Sequence, residues 1–66
     1  MADNPLAARE RQVLTFTAMG KTAAQVAVVM FLSERTINFH ISKVVAKLGA
    51  ANKTEAVAIA IRAGWI

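Results

Sequence analysis

The chain has 66 residues, 56% of them hydrophobic, with eight Lys and Arg against four Asp and Glu and a net charge of +4. That length allows one domain with a small core, and the absence of cysteine excludes disulfides and thiolate metal ligands together. No apolar run approaches the roughly 18 residues a membrane span requires, the N-terminus lacks a signal-peptide pattern, and the basic balance points to polyanions, either nucleic acid or anionic lipid.

Ala, Val and Ile are abundant and turn formers few, which favours an all-α bundle of three or four short helices. Residues 1–5 lack periodicity and are expected to form a disordered lead-in to a domain at 6–66. Pro5 suits the start of a first helix, because its fixed φ is helical and its missing N–H is not needed there. From Leu6 to Met19, Leu6, Val13, Leu14 and Thr17 share a face with Phe16 and Ala18 at its edges, while Arg9, Glu10, Arg11 and Gln12 make the expected wet side. Gly20 is the expected stop. Lys21 and Thr22 open the second helix, with Thr22 and Gln25 at the spacing of a capping box. Val26, Ala27 and Met30 are its expected buried side. Phe31-Leu32 leaves room for only a three- or four-residue turn, so the second and third helices must cross steeply, in the layout of a helix-turn-helix. No glycine marks that turn.

Ser33 to Leu48 reads as a helix with two jobs. At about 100° per residue, Ile37, Ile41, Val44, Val45 and Leu48 form one stripe, and Arg35, Phe39, Ser42, Lys43 and Ala46 lie opposite. Ser33 is an N-cap candidate, Glu34 suits the positive pole of the helix dipole, and Gly49 follows where a left-handed residue is wanted. The outward face carries two long cations, small polar groups and one aromatic, a mixture suited to a polyanion with readable edges. After Gly49, Asn52 with Glu55 repeats the cap pattern for a last helix from about Lys53 to Ala63. Ala56, Val57 and Ala60 form its core stripe and Gly64 ends it. Ile59 and Ile61 lie off that stripe, so this helix is apolar over more of its circumference than a solitary surface helix should be.

Four blocks stand in the order and spacing of the LuxR-type DNA-binding domain, which the chain resembles over nearly its whole length: LAARERQVLTFTAMGKT at 6–22, AAQVAVVMFLSERTINFH at 23–40, KVVAKLGAANKTEAVAIA at 43–60 and GWI at 64–66. The NFH tripeptide and the ANKTEAVA run look most like regulators that sense acyl-homoserine lactones; the family also includes response regulators. The resemblance implies four helices, with the middle pair forming the helix-turn-helix and the fourth commonly serving dimerisation. It implies a bacterial, cytoplasmic, nucleoid-associated transcription regulator with no cofactor in this domain. An acyl-homoserine lactone would bind a domain upstream, so the chain is either an excised C-terminal portion or a single-domain member. The resemblance also allows RNA polymerase as a further partner. Two positions depart from the pattern: Gln12 stands for a frequent acid, and Ala7 for a frequent Ser or Thr. Both departures should loosen the first helix's cap and charge pairing.

The expected contacts follow from the chemistry of each residue. Phosphate contacts give most affinity and fix orientation. The candidates are Lys21 and Thr22, then Ser33, Arg35 and Thr36, then Asn52 and Lys53, at three helix starts whose N–H groups can face phosphates. The bland reading of each is an ordinary cap or a solvated charge. Base-edge contacts are expected from Asn38, Phe39, Ser42 and Lys43: Lys43 can donate to guanine, Asn38 can pair with adenine, and Phe39 can touch a thymine methyl. If the helical phase were wrong, Phe39 would instead be core. His40 lies between the faces and reads as a packing or phosphate-contacting residue rather than a metal ligand. With no nucleophile beside a base, catalysis has no foothold. One short helix reads few base pairs, so a dimer on a palindromic double-stranded site is expected, with Ala58, Ile59 and Arg62 as its contact; the alternative is that Ile59 and Ile61 close over the small core. Two other classes stay open. One is a helix resting on an anionic membrane, to which Asn, Ser and Thr are ill suited. The other is a protein-interaction or dimerisation module acting through the helix at 53–63.

Overall fold

The computed structural model describes residues 3–66 and contains four α-helices and no strand among them: α1 (Ala8–Ala18), α2 (Ala23–Met30), α3 (Glu34–Leu48) and α4 (Lys53–Ala63). Met1 and Ala2, part of the expected lead-in, lie outside the described residues. Within it, Asn4 is tied to the fold: its Oδ1 accepts from the Leu6 N–H at 2.9 Å and its Nδ2 donates to the Trp65 carbonyl at 3.0 Å.

Local chemistry sets the helix ends. Thr22 Oγ1 accepts from the Gln25 N–H while Gln25 Oε1 accepts from the Thr22 N–H, which completes the capping box that starts α2. Ser33 caps α3 through the Thr36 N–H, and Asn52 caps α4 through the Glu55 N–H. Gly49 closes α3 at φ 63°, a conformation that costs glycine nothing and a side chain much more. The first helix starts two residues later than its apolar pattern, because Leu6 lies in the core ahead of the first turn. Ala7 has no side-chain acceptor, yet its N–H is satisfied by Glu10 Oε1 at 2.8 Å, so one half of a capping box survives.

Helix α3 packs against all three others and divides the interior into two clusters. Val13, Val26, Ala27 and Ile37 join α1, α2 and the first half of α3. Leu6, Leu14, Val44, Ala56 and Ala60 join α1, α4 and the second half. Adjacent residues on α1, Val13 and Leu14, thus serve different clusters, and α3 spans both.

One expected surface residue is core. Glu10, expected on the wet side of α1, is 2% exposed. Four residues after Leu6 and three or four before Val13 and Leu14, it lies on the buried stripe, and Lys47 Nζ of α3 meets its carboxylate at 2.6 Å. Desolvation pushes the Glu10 pKa up, but the hydrogen bonds from Lys47 and the Ala7 N–H, with the charges of Lys47 and Lys43, outweigh it and hold the group below its ordinary value.

Candidate nucleic-acid interface

Because α3 buries Ile37 and Val44 completely, the opposite side of the same helix is fixed toward solvent. Asn38, Phe39, Ser42 and Lys43 are all exposed there, Phe39 at 59%, so the ring is not core. Lys43 Nζ sits 5.5 Å from the Phe39 ring centroid, the cation–π geometry expected of an i, i+4 pair. The ring therefore biases where the ammonium lies before any partner arrives. Arg35 is exposed one turn earlier, and neither it nor Lys43 forms a salt bridge among the described residues.

The helix starts supply a second set of donors. Ser33 Oγ and Thr36 Oγ1 lie 2.8 Å apart and share one hydrogen bond, which leaves one of their two hydroxyl protons free for an outside acceptor. Thr22 accepts with its oxygen and retains its O–H; Asn52 accepts with Oδ1 and retains its amide N–H groups. At each start the cap takes the third helical amide, so the first two have no partner in the helix. Each capped end thus presents free donors next to the positive pole of a dipole.

Packing of α4 against the rest brings two of those starts together. A cleft of about 440 Å³ is lined by Lys21 and Thr22 from one end and by Lys53 and Thr54 from another. Asn52, the α4 cap itself, is exposed but is not among the residues lining that cleft. Thr54 is a residue that sequence reasoning misses. Its only local signal is its place in the first turn after a cap, and its neighbourhood with Lys21 depends on the α2–α4 arrangement.

Of the expected self-association surface, Ile59 and Arg62 border one shallow hollow with Ala63, while Ala58 is half-buried and lies outside that lining. Ile61, beside them in sequence, is 57% exposed and so does not close over the core. No helix among the described residues is long and apolar enough to cross a membrane, and no cluster of acidic, His or Cys side chains among them could hold a metal ion.

Residues 4–60 match the family described as bacterial regulatory proteins, luxR family. The transcriptional activator protein SolR of Ralstonia nicotianae is 51% identical over 92% of this chain and 26% of its own length. The quorum sensing-dependent transcriptional regulator RpaR of Rhodopseudomonas palustris is 44% identical over 96% of this chain and 26% of its own. Among solved structures, Escherichia coli SdiA superposes with a TM-score of 0.91 at 36% identity, covering 100% of this chain and 28% of that one. The chain therefore spans about a quarter of the length of the relatives it matches.

Proposed function

The chain belongs to the luxR family of bacterial regulatory proteins and carries that family's helix-turn-helix DNA-binding, transcription-regulating domain, and from that premise we propose how it reads DNA. Helix α3 enters the major groove, with Asn38, Phe39, Ser42 and Lys43 toward base edges and with Ser33, Arg35 and Thr36 on the backbone. Lys21, Thr22 and Lys53 take phosphates at the α2–α4 cleft, and Asn52 takes one beside it. The observation that carries this reading is α3 itself: one side anchored by the buried Ile37 and Val44 in two clusters, the other presenting an arginine with no salt bridge among the described residues and a lysine poised over an exposed phenyl ring. Nothing in the monomer requires a phenyl group in water, whereas a thymine methyl gives it a partner.

Two such domains on a palindrome would double the footprint, and the Ala58, Ile59, Arg62 surface is the contact we assign, supported by the exposed Ile61 and the hollow at Ile59 and Arg62. In a longer protein this domain would act in the cytoplasm at the nucleoid, meet RNA polymerase, and answer an acyl-homoserine lactone held upstream. The similarity to RpaR, a quorum sensing-dependent regulator, supports that input.

Selection of bound duplexes from a random pool tests the DNA assignment. Lys43→Ala is expected to relax preference at one position and to cost about 1–3 kcal/mol there, while Lys53→Ala weakens all duplexes alike. Unchanged selection by Lys43→Ala would remove that residue from the base-reading set.

A further inference from the structure

His40 is the only histidine in the chain, and neither the core nor the reading face accounts for it. It is half-buried, with its ring centroid 6.0 Å from that of Phe39 at a tilt of 54°. Its Nδ1 is buried and has no hydrogen-bond partner among the described residues. A neutral imidazole carries one proton, so one nitrogen donates and the other accepts. Burying an N–H without an acceptor is the rarer and costlier arrangement, compared with burying a lone pair. The proton therefore belongs on Nε2, which is not among the buried side-chain atoms left without a partner.

Helical phase says where that donor lies. Residue 40 is four after Thr36 and three before Lys43, on the flank of α3 that continues to Lys47 and its ion pair with Glu10. When a helix lies in a groove, its centre meets base edges and its flanks meet the sugar–phosphate rim. Resting on the DNA reading above, we infer that His40 is a backbone-contacting residue of α3: its Nε2–H donates to a phosphate oxygen, and burial of Nδ1 fixes the tautomer that makes this possible. The contact adds register without sequence information.

The test exploits isosteres. The amide nitrogen of Gln falls near the position of imidazole Nε2, and that of Asn near Nδ1. Binding of the 66-residue chain to a mixed-sequence duplex is measured for wild type, His40→Gln, His40→Asn and His40→Ala, with circular dichroism melts to report folding. His40→Gln is expected to bind like wild type. His40→Asn and His40→Ala are expected to bind about tenfold more weakly, the equivalent of one hydrogen bond to a charged acceptor. Retained binding by His40→Asn would mean that a flipped ring presents Nδ1, and would overturn the inference. Nitrogen NMR of the wild-type imidazole reads the tautomer without any substitution: a proton on Nε2 that responds to duplex is expected, and a proton on Nδ1 sinks the idea. If wild type bound no duplex at all, the DNA reading beneath it would fall first, and the role of His40 with it.

Discussion

At Glu10 a single carboxylate joins three parts of the chain. It accepts from the Ala7 N–H at the start of α1 and from Lys47 near the end of α3, and Lys47 also reaches the Pro5 carbonyl at 3.4 Å. Glu10 is 2% exposed whereas the Lys47 side chain is 36% exposed, so the pair is screened from one side only. Losing the carboxylate leaves a lysine that water can solvate, and the cost is that of charge-assisted hydrogen bonds rather than of an isolated buried ion. Glu10→Gln is expected to destabilise the domain by about 1–3 kcal/mol at neutral pH, read as a lower melting temperature in circular dichroism. The acid dependence follows from the depressed pKa. A group held below its ordinary value of 4.5 contributes fully above that value, and its contribution drains away as pH falls through the lower folded value. The gap between wild type and Glu10→Gln should therefore close on acidification. A gap independent of pH would mean that packing volume, not charge, sets the loss.

The turn between α2 and α3 shows what an element demands of its connector. To start α3 at a steep angle, the residue after Met30 must go left-handed, and Phe31 does so at φ 56° while 94% exposed. A bulky residue in that region is strained by roughly 1–3 kcal/mol, and here packing returns nothing. Glycine would remove the strain at the cost of a looser unfolded chain. Phe31→Gly should therefore stabilise the domain by about 0.5–1 kcal/mol in chemical denaturation; a loss of stability would show that the ring has packing value in the folded state. The two helices it joins differ in what fixes them. Helix α2 has eight residues and relies on its capping box and on Val26 and Ala27, since so short a segment is marginal alone. Helix α3 has fifteen, both ends capped, and an inner face on which Ile37 and Val44 are buried and Ile41, Val45 and Leu48 half-buried, which lets it hold its far side rigidly toward a partner.

Over the described residues, 33 × 23 × 18 Å across, the three capped helix starts and the outward side of α3 make up the proposed DNA surface, and α4 carries the surface assigned to self-association. Ile59→Ala is expected to abolish cooperative binding to two half-sites about 10 base pairs apart while leaving single half-site affinity as it was. Equal loss on both duplexes would mean that Ile59 supports the fold instead, a distinction a melting curve checks. How much of the molecule is legible in its residues varies with the range of the interaction. The sequence by itself determined the four helices, the caps at Thr22, Ser33 and Asn52, the glycine ends and the two-sidedness of α3, because those depend on residues within about four positions of one another. Tertiary structure alone decided that Glu10 is buried, since its partner Lys47 is 37 residues away. Packing likewise put Phe31 in a left-handed turn that no glycine announced, and set Lys21 across a cleft from Lys53 and Thr54. A charged residue on an apolar stripe reads as wet until a counter-charge is delivered by another helix, and only the packed chain delivers it.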